Sequence, residues 1–147
     1  MPLSLSVVTA ERTIVQRGDV QRLIVPTTEG QITVLPSHVP LMSSIGYGEM
    51  TAVCANETVY MAVFGGFIQV ANDFVTVLAD AAEHADAINE ERAEAARLRA
   101  QQRLAGQHSG PDALNVLRAR LAMERALVRL RVRRRRPATG VPSMRER

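Results

Sequence analysis

The sequence has no lysine, no tryptophan and a single cysteine, and its aromatics are two tyrosines and three phenylalanines. Each scarcity narrows the reading. With aromatics at 3 %, the core must be aliphatic, and few rings are available for stacking on bases. Cys54, the one cysteine, cannot form an internal disulfide,. Set in a strand pattern, it reads as a small buried hydrophobe rather than a nucleophile. Without lysine, neither Gly46-Tyr47-Gly48 nor Gly65-Gly66 can belong to a Gly-Lys-Ser/Thr phosphate loop,. No apolar run approaches the ~18 residues of a spanning helix. Met1-Pro2-Leu3 opens no basic-then-apolar signal segment,. A soluble chain is expected, or one held at a membrane only through partners. His38, His84 and His108 with Cys54 lack metal-ligand spacing, so no metal site is expected,. No nucleophile–base constellation stands out, and the chain reads as a non-enzyme.

What is present divides in two. Apolar residues make up 46 % of the chain, enough for a core. Residues 1–87 hold three arginines against nine acids, while residues 88–147 hold fifteen arginines against six. The second part is thus built to meet something acidic, or else presents a solvated arginine-rich face. The first part reads as short strands at regular spacing, an all-β sandwich or barrel. Leu3 to Thr9, Thr13 to Gln16, Val20 to Val25, Gln31 to Leu35, Leu41 to Ser44, Glu49 to Ala55, Thr58 to Phe64, Phe67 to Val70 and Phe74 to Leu78 are the runs. Gly18-Asp19 reads as a turn, Thr27 to Gly30 as a hairpin tip, and Ser37 to Pro40 as a proline-bounded loop. Gly65-Gly66 inside an apolar run suggests a bulge or a close backbone approach.

From Asp86 the composition turns to alanine, glutamate and arginine, strong helix formers,. Asp86 is the candidate N-cap, with Glu90 and Glu91 placed to meet the helix dipole. Arg92, Arg99 and Arg103 fall on one face, beside a small-residue stripe of Ala93, Ala96, Ala100 and Leu104. A loop at 105–111 precedes a second helix opened by Pro111 or Asp112. On it, Leu114, Leu117, Leu121 and Val128 share one face, and Val116, Met123, Leu127 and Leu130 the adjacent one. The two make an αα-hairpin. Alanine buries little area, so this hairpin is expected to be held by only a few kcal/mol and to be able to leave its place. Residues 137–147 are expected to be disordered.

The run Val25-Pro26-Thr27-Thr28-Glu29-Gly30-Gln31-Ile32-Thr33-Val34-Leu35-Pro36-Ser37-His38-Val39-Pro40 resembles the epsilon subunit of the bacterial F-type ATP synthase. So do Val63-Phe64-Gly65-Gly66-Phe67-Ile68-Gln69-Val70 and Val75 to Glu83 followed by Ile88-Asn89-Glu90-Glu91-Arg92-Ala93. The resemblance implies an α+β fold: a ten-stranded β-sandwich over 1–85, then an antiparallel two-helix hairpin over 86–136. It implies a non-catalytic rotor subunit of a proton-translocating enzyme, peripheral on the cytoplasmic face of the cell membrane, supporting ATP synthesis and hydrogen ion transport. The implied partners are the gamma subunit and the c-ring, with alpha and beta met when the hairpin extends to inhibit hydrolysis. Thr28, Glu29, Gly30 and His38 match the region facing gamma and the c-ring, although His38 equally reads as fixing its own loop. Arg118, Arg125, Arg129, Arg133 and Arg136 match the inhibitory basic face. No cofactor is required. Some relatives bind ATP as a regulatory ligand, and Glu83, Ile88, Asn89, Arg92, Ala93, Arg99, Arg125 and Arg129 match those positions. Asn89 stands where that motif has aspartate. The rival reading is a nucleic-acid-binding β module with an arginine-rich tail, which leaves the N-terminal motifs unexplained.

Overall fold

The computed structural model describes residues 1–106 and 113–135. The expected helix start at Pro111 or Asp112, His108, Arg136 and the tail at 137–147 lie outside these residues. The chain divides into two compact units between Ala85 and Asp86.

The first unit is all β. Its strands are β1 (Leu3–Val8), β2 (Thr13–Thr27), β3 (Gly30–Val34), β4 (Leu41–Cys54), β5 (Thr58–Ala71), β6 (Phe74–Ala79) and β7 (Ala82–His84). They pair in the order β1-β6-β5-β4-β2-β3, and β1 also pairs with β2, so five strands close on themselves. β3 extends from β2 and β7 from β5. Closure removes exposed edges, the usual weakness of a small all-β unit. The β1–β6 pair is parallel; the rest are antiparallel. Strand alternation fills the interior: Leu3, Leu5 and Val7 of β1 point inward between outward serines,. Leu23, Val25, Met50, Met61, Val63, Ile68 and Val77 join them. The core is aliphatic as composition required, with Phe64 the one buried aromatic.

Ten strands were expected and seven are found among the described residues. Three long strands account for most of the difference, each running through a glycine read as a break. β2 passes through Gly18 because Arg17 and Asp19, two apart and so on one face, bind each other through Nε at 3.0 Å and Nη2 at 2.8 Å,. Arg17 also reaches Glu57 at 2.5 Å. β4 continues through Gly46 and Gly48, where a Cβ would lie 3.2 Å from the Thr27 carbonyl oxygen and 2.9 Å from Pro26 Cβ. β5 continues through Gly65 and Gly66 at φ +85° and +120°. Its two halves take different partners, β7 along Met61 to Val63 and β6 from Gly66 onward. The expected close approach is there: a Cβ on Gly66 would sit 2.1 Å from the Leu78 carbonyl oxygen.

The second unit is helical, with α1 (Glu90–Leu104) and α2 (Ala113–Arg135). Asn89, not Asp86, is the N-cap: its side chain accepts from the Arg92 amide at 3.0 Å. Asp86 instead lies in a 3-10 turn over Ala85–Ala87. Asparagine caps as well as aspartate does, and its extended backbone lets the helix begin at Glu90,. Glu90 and Glu91 occupy the first turn as expected, and Gly106 ends the helix at φ +90° with its amide on the Arg103 carbonyl,. The helices are antiparallel, since Arg134 near the end of α2 bonds Glu90 at the start of α1 at 3.1 Å.

Small residues form the seam. Ala93 and Ala100 of α1 and Ala119 and Ala126 of α2 are all buried, seven residues apart in each helix. Val128, Leu130 and Val132 are buried too. The leucine faces expected on α2 are corrected in part: Leu117 and Leu127 are about half exposed. Apolar counting ranked the large side chains first, whereas alanine is what lets two helix backbones come close.

Candidate functional site

The first candidate region is the tip joining β2 to β3. Thr27, nearly buried, closes it: its hydroxyl donates to the Gly30 carbonyl and accepts from the Glu29 amide at 3.2 Å. Gly30 takes φ +121°, which favours glycine,. The Thr28 amide donates to the Ser44 carbonyl of β4 at 3.2 Å, anchoring the tip sideways. Thr28, Glu29 and Gly30 are thereby held as an exposed, preformed turn with one carboxylate at its end. A preformed loop loses little entropy on docking. Thr27, which holds this shape, was not among the expected site residues; a threonine two residues before the tip's acid is the signal that could have found it.

His38 stands elsewhere. It follows β3 at the end away from the tip, so the structure does not bring it to Thr28–Gly30. Its Nδ1 lies 2.7 Å from the Val39 carbonyl, which can only accept, so Nδ1 carries the proton,. The His38 amide donates to Leu35 at 3.1 Å, and the Ser37 amide to the Asp73 carboxylate at 2.6 Å. Ser37 and Asp73 both adopt positive φ, 68° and 66°. The His38 ring thus bonds the carbonyl of the next residue, within its own loop.

The second region is the helical hairpin. Asn89 is occupied in capping, Ile88 and Ala93 are buried, and Arg92 and Arg99 are exposed on one flank of α1. Glu83 is half-buried on β7, in the other unit. Of the basic face, Arg118 is exposed while Arg125, Arg129 and Arg133 are half-buried. One guanidinium nitrogen of Arg133, Nη1, is fully buried without a hydrogen-bond partner. By helix spacing these arginines keep to one side of α2, with Arg118 the most exposed of them,.

A cluster that sequence reading missed lies between α1 and α2. Glu94 bonds Arg97 at 2.5 Å and approaches Arg134 at 3.7 Å. With Leu127, Leu130, Arg131 and Arg135 they line a cleft of about 650 Å³. The three-residue spacing of Glu94 and Arg97 was a visible signal. The cross-helix partner was not, because register between two helices is not written in either.

Two electrostatic features belong to the β unit. Hydrogen bonds that Arg17 donates to Asp19, then to Glu57, hold it firmly protonated. The Arg17 guanidinium in turn holds the Asp19 carboxyl below its ordinary value. Burial pushes the Cys54 thiol up, in keeping with a hydrophobe rather than a nucleophile,.

Comparison with known proteins follows the same division. Residues 2–85 match the family model described as ATP synthase, Delta/Epsilon chain, beta-sandwich domain. Residues 86–133 match that described as ATP synthase, Delta/Epsilon chain, long alpha-helix domain. The ATP synthase epsilon chain of Herpetosiphon aurantiacus is 42% identical over 132 residues, 90% of this chain and 94% of the relative. That of Nitratidesulfovibrio vulgaris is 38% identical over 131 residues, 89% and 95% of the two chains. Among solved structures, a chain of the Euglena gracilis mitochondrial ATP synthase (OSCP/F1/c-ring) aligns with TM-score 0.72 at 21% identity, covering 84% of this chain and 76% of that one.

Proposed function

The chain belongs to the ATP synthase epsilon-chain family, a non-catalytic subunit, and we propose that it links the gamma subunit to the membrane c-ring while its hairpin restrains ATP hydrolysis. The β unit is the docking part. Its preformed tip at Thr28, Glu29 and Gly30 offers a carboxylate to basic c-ring loops, and the His38 loop offers a second, separate contact toward gamma. The subunit then sits peripherally on the cytoplasmic face of the cell membrane, held there by its partners.

The observation that carries the regulatory part is the light closure of the hairpin. Four of its buried side chains are alanines, each burying little area at ~25 cal/mol per Å², beside Val128, Leu130 and Val132,. Its visible cross-helix polar ties, Arg134 to Glu90 and Glu94, are exposed and worth little,. Differential binding to alpha and beta could therefore overturn the closed state. Arg118, Arg125, Arg129 and Arg133 are the basic residues the extended arm would present. The same reading takes ATP as a regulatory ligand favouring the closed hairpin, with Arg92 and Arg99 exposed to meet phosphates,. Unchanged hairpin melting in millimolar ATP would remove that ligand from the account.

The deciding experiment compares ATP hydrolysis by the assembled catalytic complex carrying the full chain with one carrying a chain that ends at Ala87. The expected result is faster hydrolysis on truncation with the complex intact. Equal rates would overturn the inhibitory role and leave the β unit as the working part.

A further inference from the structure

The cleft between α1 and α2 is used by nothing above. Glu94, Arg97, Leu127, Leu130, Arg131, Arg134 and Arg135 line it. Four guanidinium groups and one carboxylate line it, with Glu90 paired to Arg134 at 3.1 Å, so the cleft is net positive. Leu130, almost fully buried, and Leu127 supply an apolar floor. The volume, about 650 Å³, falls within the range of small-molecule sites,. The cleft already holds an anion of the chain's own. The Glu94 carboxylate lies between Arg97 Nε at 2.5 Å and Arg134 Nη2 at 3.7 Å, which marks the position as one where negative charge is stabilised.

We propose that this cleft binds a ligand carrying two or more phosphate groups, with Arg131 and Arg135 as its principal contacts and Arg97 and Arg134 behind them. Guanidinium forks match phosphate oxygens in pairs, and one phosphate accepts from several at once. An apolar floor below such a rim suits the organic part of a nucleotide or the acyl end of a phospholipid. This site is distinct from the flank bearing Arg92 and Arg99. At 100° per residue, those two project about 160° around α1 from Glu94 and Arg97 respectively. Nothing here depends on the inhibitory role proposed above, since the cleft lies within the helical unit and needs no partner.

The test is titration calorimetry of the full chain with pyrophosphate at low salt. The expected result is saturable binding that weakens as salt screens it. Changing Arg131→Gln and Arg135→Gln together should weaken it about tenfold or more. Changing Arg145→Gln and Arg147→Gln together should leave it within about twofold. A single Arg131→Gln chain, exposed at the altered position, guards against loss through misfolding and should show a partial effect. Co-sedimentation with cardiolipin vesicles, against phosphatidylcholine vesicles, separates the sources. Vesicle binding displaced by pyrophosphate assigns the cleft to a lipid headgroup, and pyrophosphate binding without vesicle binding assigns it to a free phosphate ligand. Absence of saturable pyrophosphate binding, or binding that survives the Arg131/Arg135 change, would overturn the proposal.

Discussion

At the residue scale, two glycines of one unit carry opposite expectations. Gly66→Ala would drive a Cβ to 2.1 Å from the Leu78 carbonyl oxygen at φ +120°. The β5–β6 ladder must then give way, and a loss of about 3 kcal/mol or more is expected. Gly18 has nothing within 4 Å of a built Cβ and no positive φ, so Gly18→Ala should stay within about 0.5 kcal/mol,. Urea midpoints of the two variants against the parent decide this, and similar midpoints would refute the contrast. Asp19 gives a pH dependence. Its folded carboxyl is held below the unfolded value by Arg17. Its contribution is therefore present above the unfolded value of about 4 and lost as pH falls through the folded one. Asp19→Asn should be less stable than the parent at pH 7, with the difference shrinking toward pH 3. A difference that stays constant with pH would mean that the Arg17 ion pair is not its source.

At the scale of the elements, the alanine seam predicts the behaviour of the hairpin. Ala100 is about 1 % exposed, so a larger side chain there must displace what packs against it. Ala100→Leu should destabilise the helical unit by about 1–3 kcal/mol and leave the β unit untouched. Hydrogen exchange would show this as faster exchange in α1 and α2 alone; uniform acceleration across both units would refute it. The same elements mark what the sequence could tell. The β unit, the Thr27–Gly30 tip and the strained Gly65-Gly66 were legible, because turn chemistry and strand period are local. The long strands were not, because whether a chain bends or breaks at Gly18, Gly46 and Gly48 depends on partners such as Arg17, Glu57 and Pro26. The cap was misplaced by three residues, since Asp86 and Asn89 are both good caps. Asn89 also explains itself here: where the ATP motif has aspartate, asparagine still bonds the Arg92 amide. The basic cleft stayed invisible, because it exists only once α1 and α2 are set in antiparallel register.

For the whole molecule, the charge division and the light seam together predict that stability and inhibition move in opposite directions. In the proposed account a closed hairpin and an extended arm compete for one chain, so a change that weakens only the closed state raises the extended population. Ala100→Leu does this without touching an arginine proposed to meet alpha and beta. It should deepen inhibition of the assembled complex, slowing ATP hydrolysis severalfold under conditions where the parent is partly inhibited. Arg133→Met should act in the reverse sense for two reasons. Arg133 keeps a buried nitrogen without a hydrogen-bond partner, and replacing it with an apolar side chain removes that cost from the closed state,. The same change takes one positive charge from the extended arm. Hydrolysis should therefore be faster than with the parent chain, and the helical unit should melt higher. The pairing separates this account from a simple electrostatic one. Charge alone predicts no effect of Ala100→Leu on hydrolysis and no rise in melting for Arg133→Met. If Ala100→Leu relieves inhibition instead, the closed hairpin would itself be the inhibitory form, and the competition between the two states would run the other way.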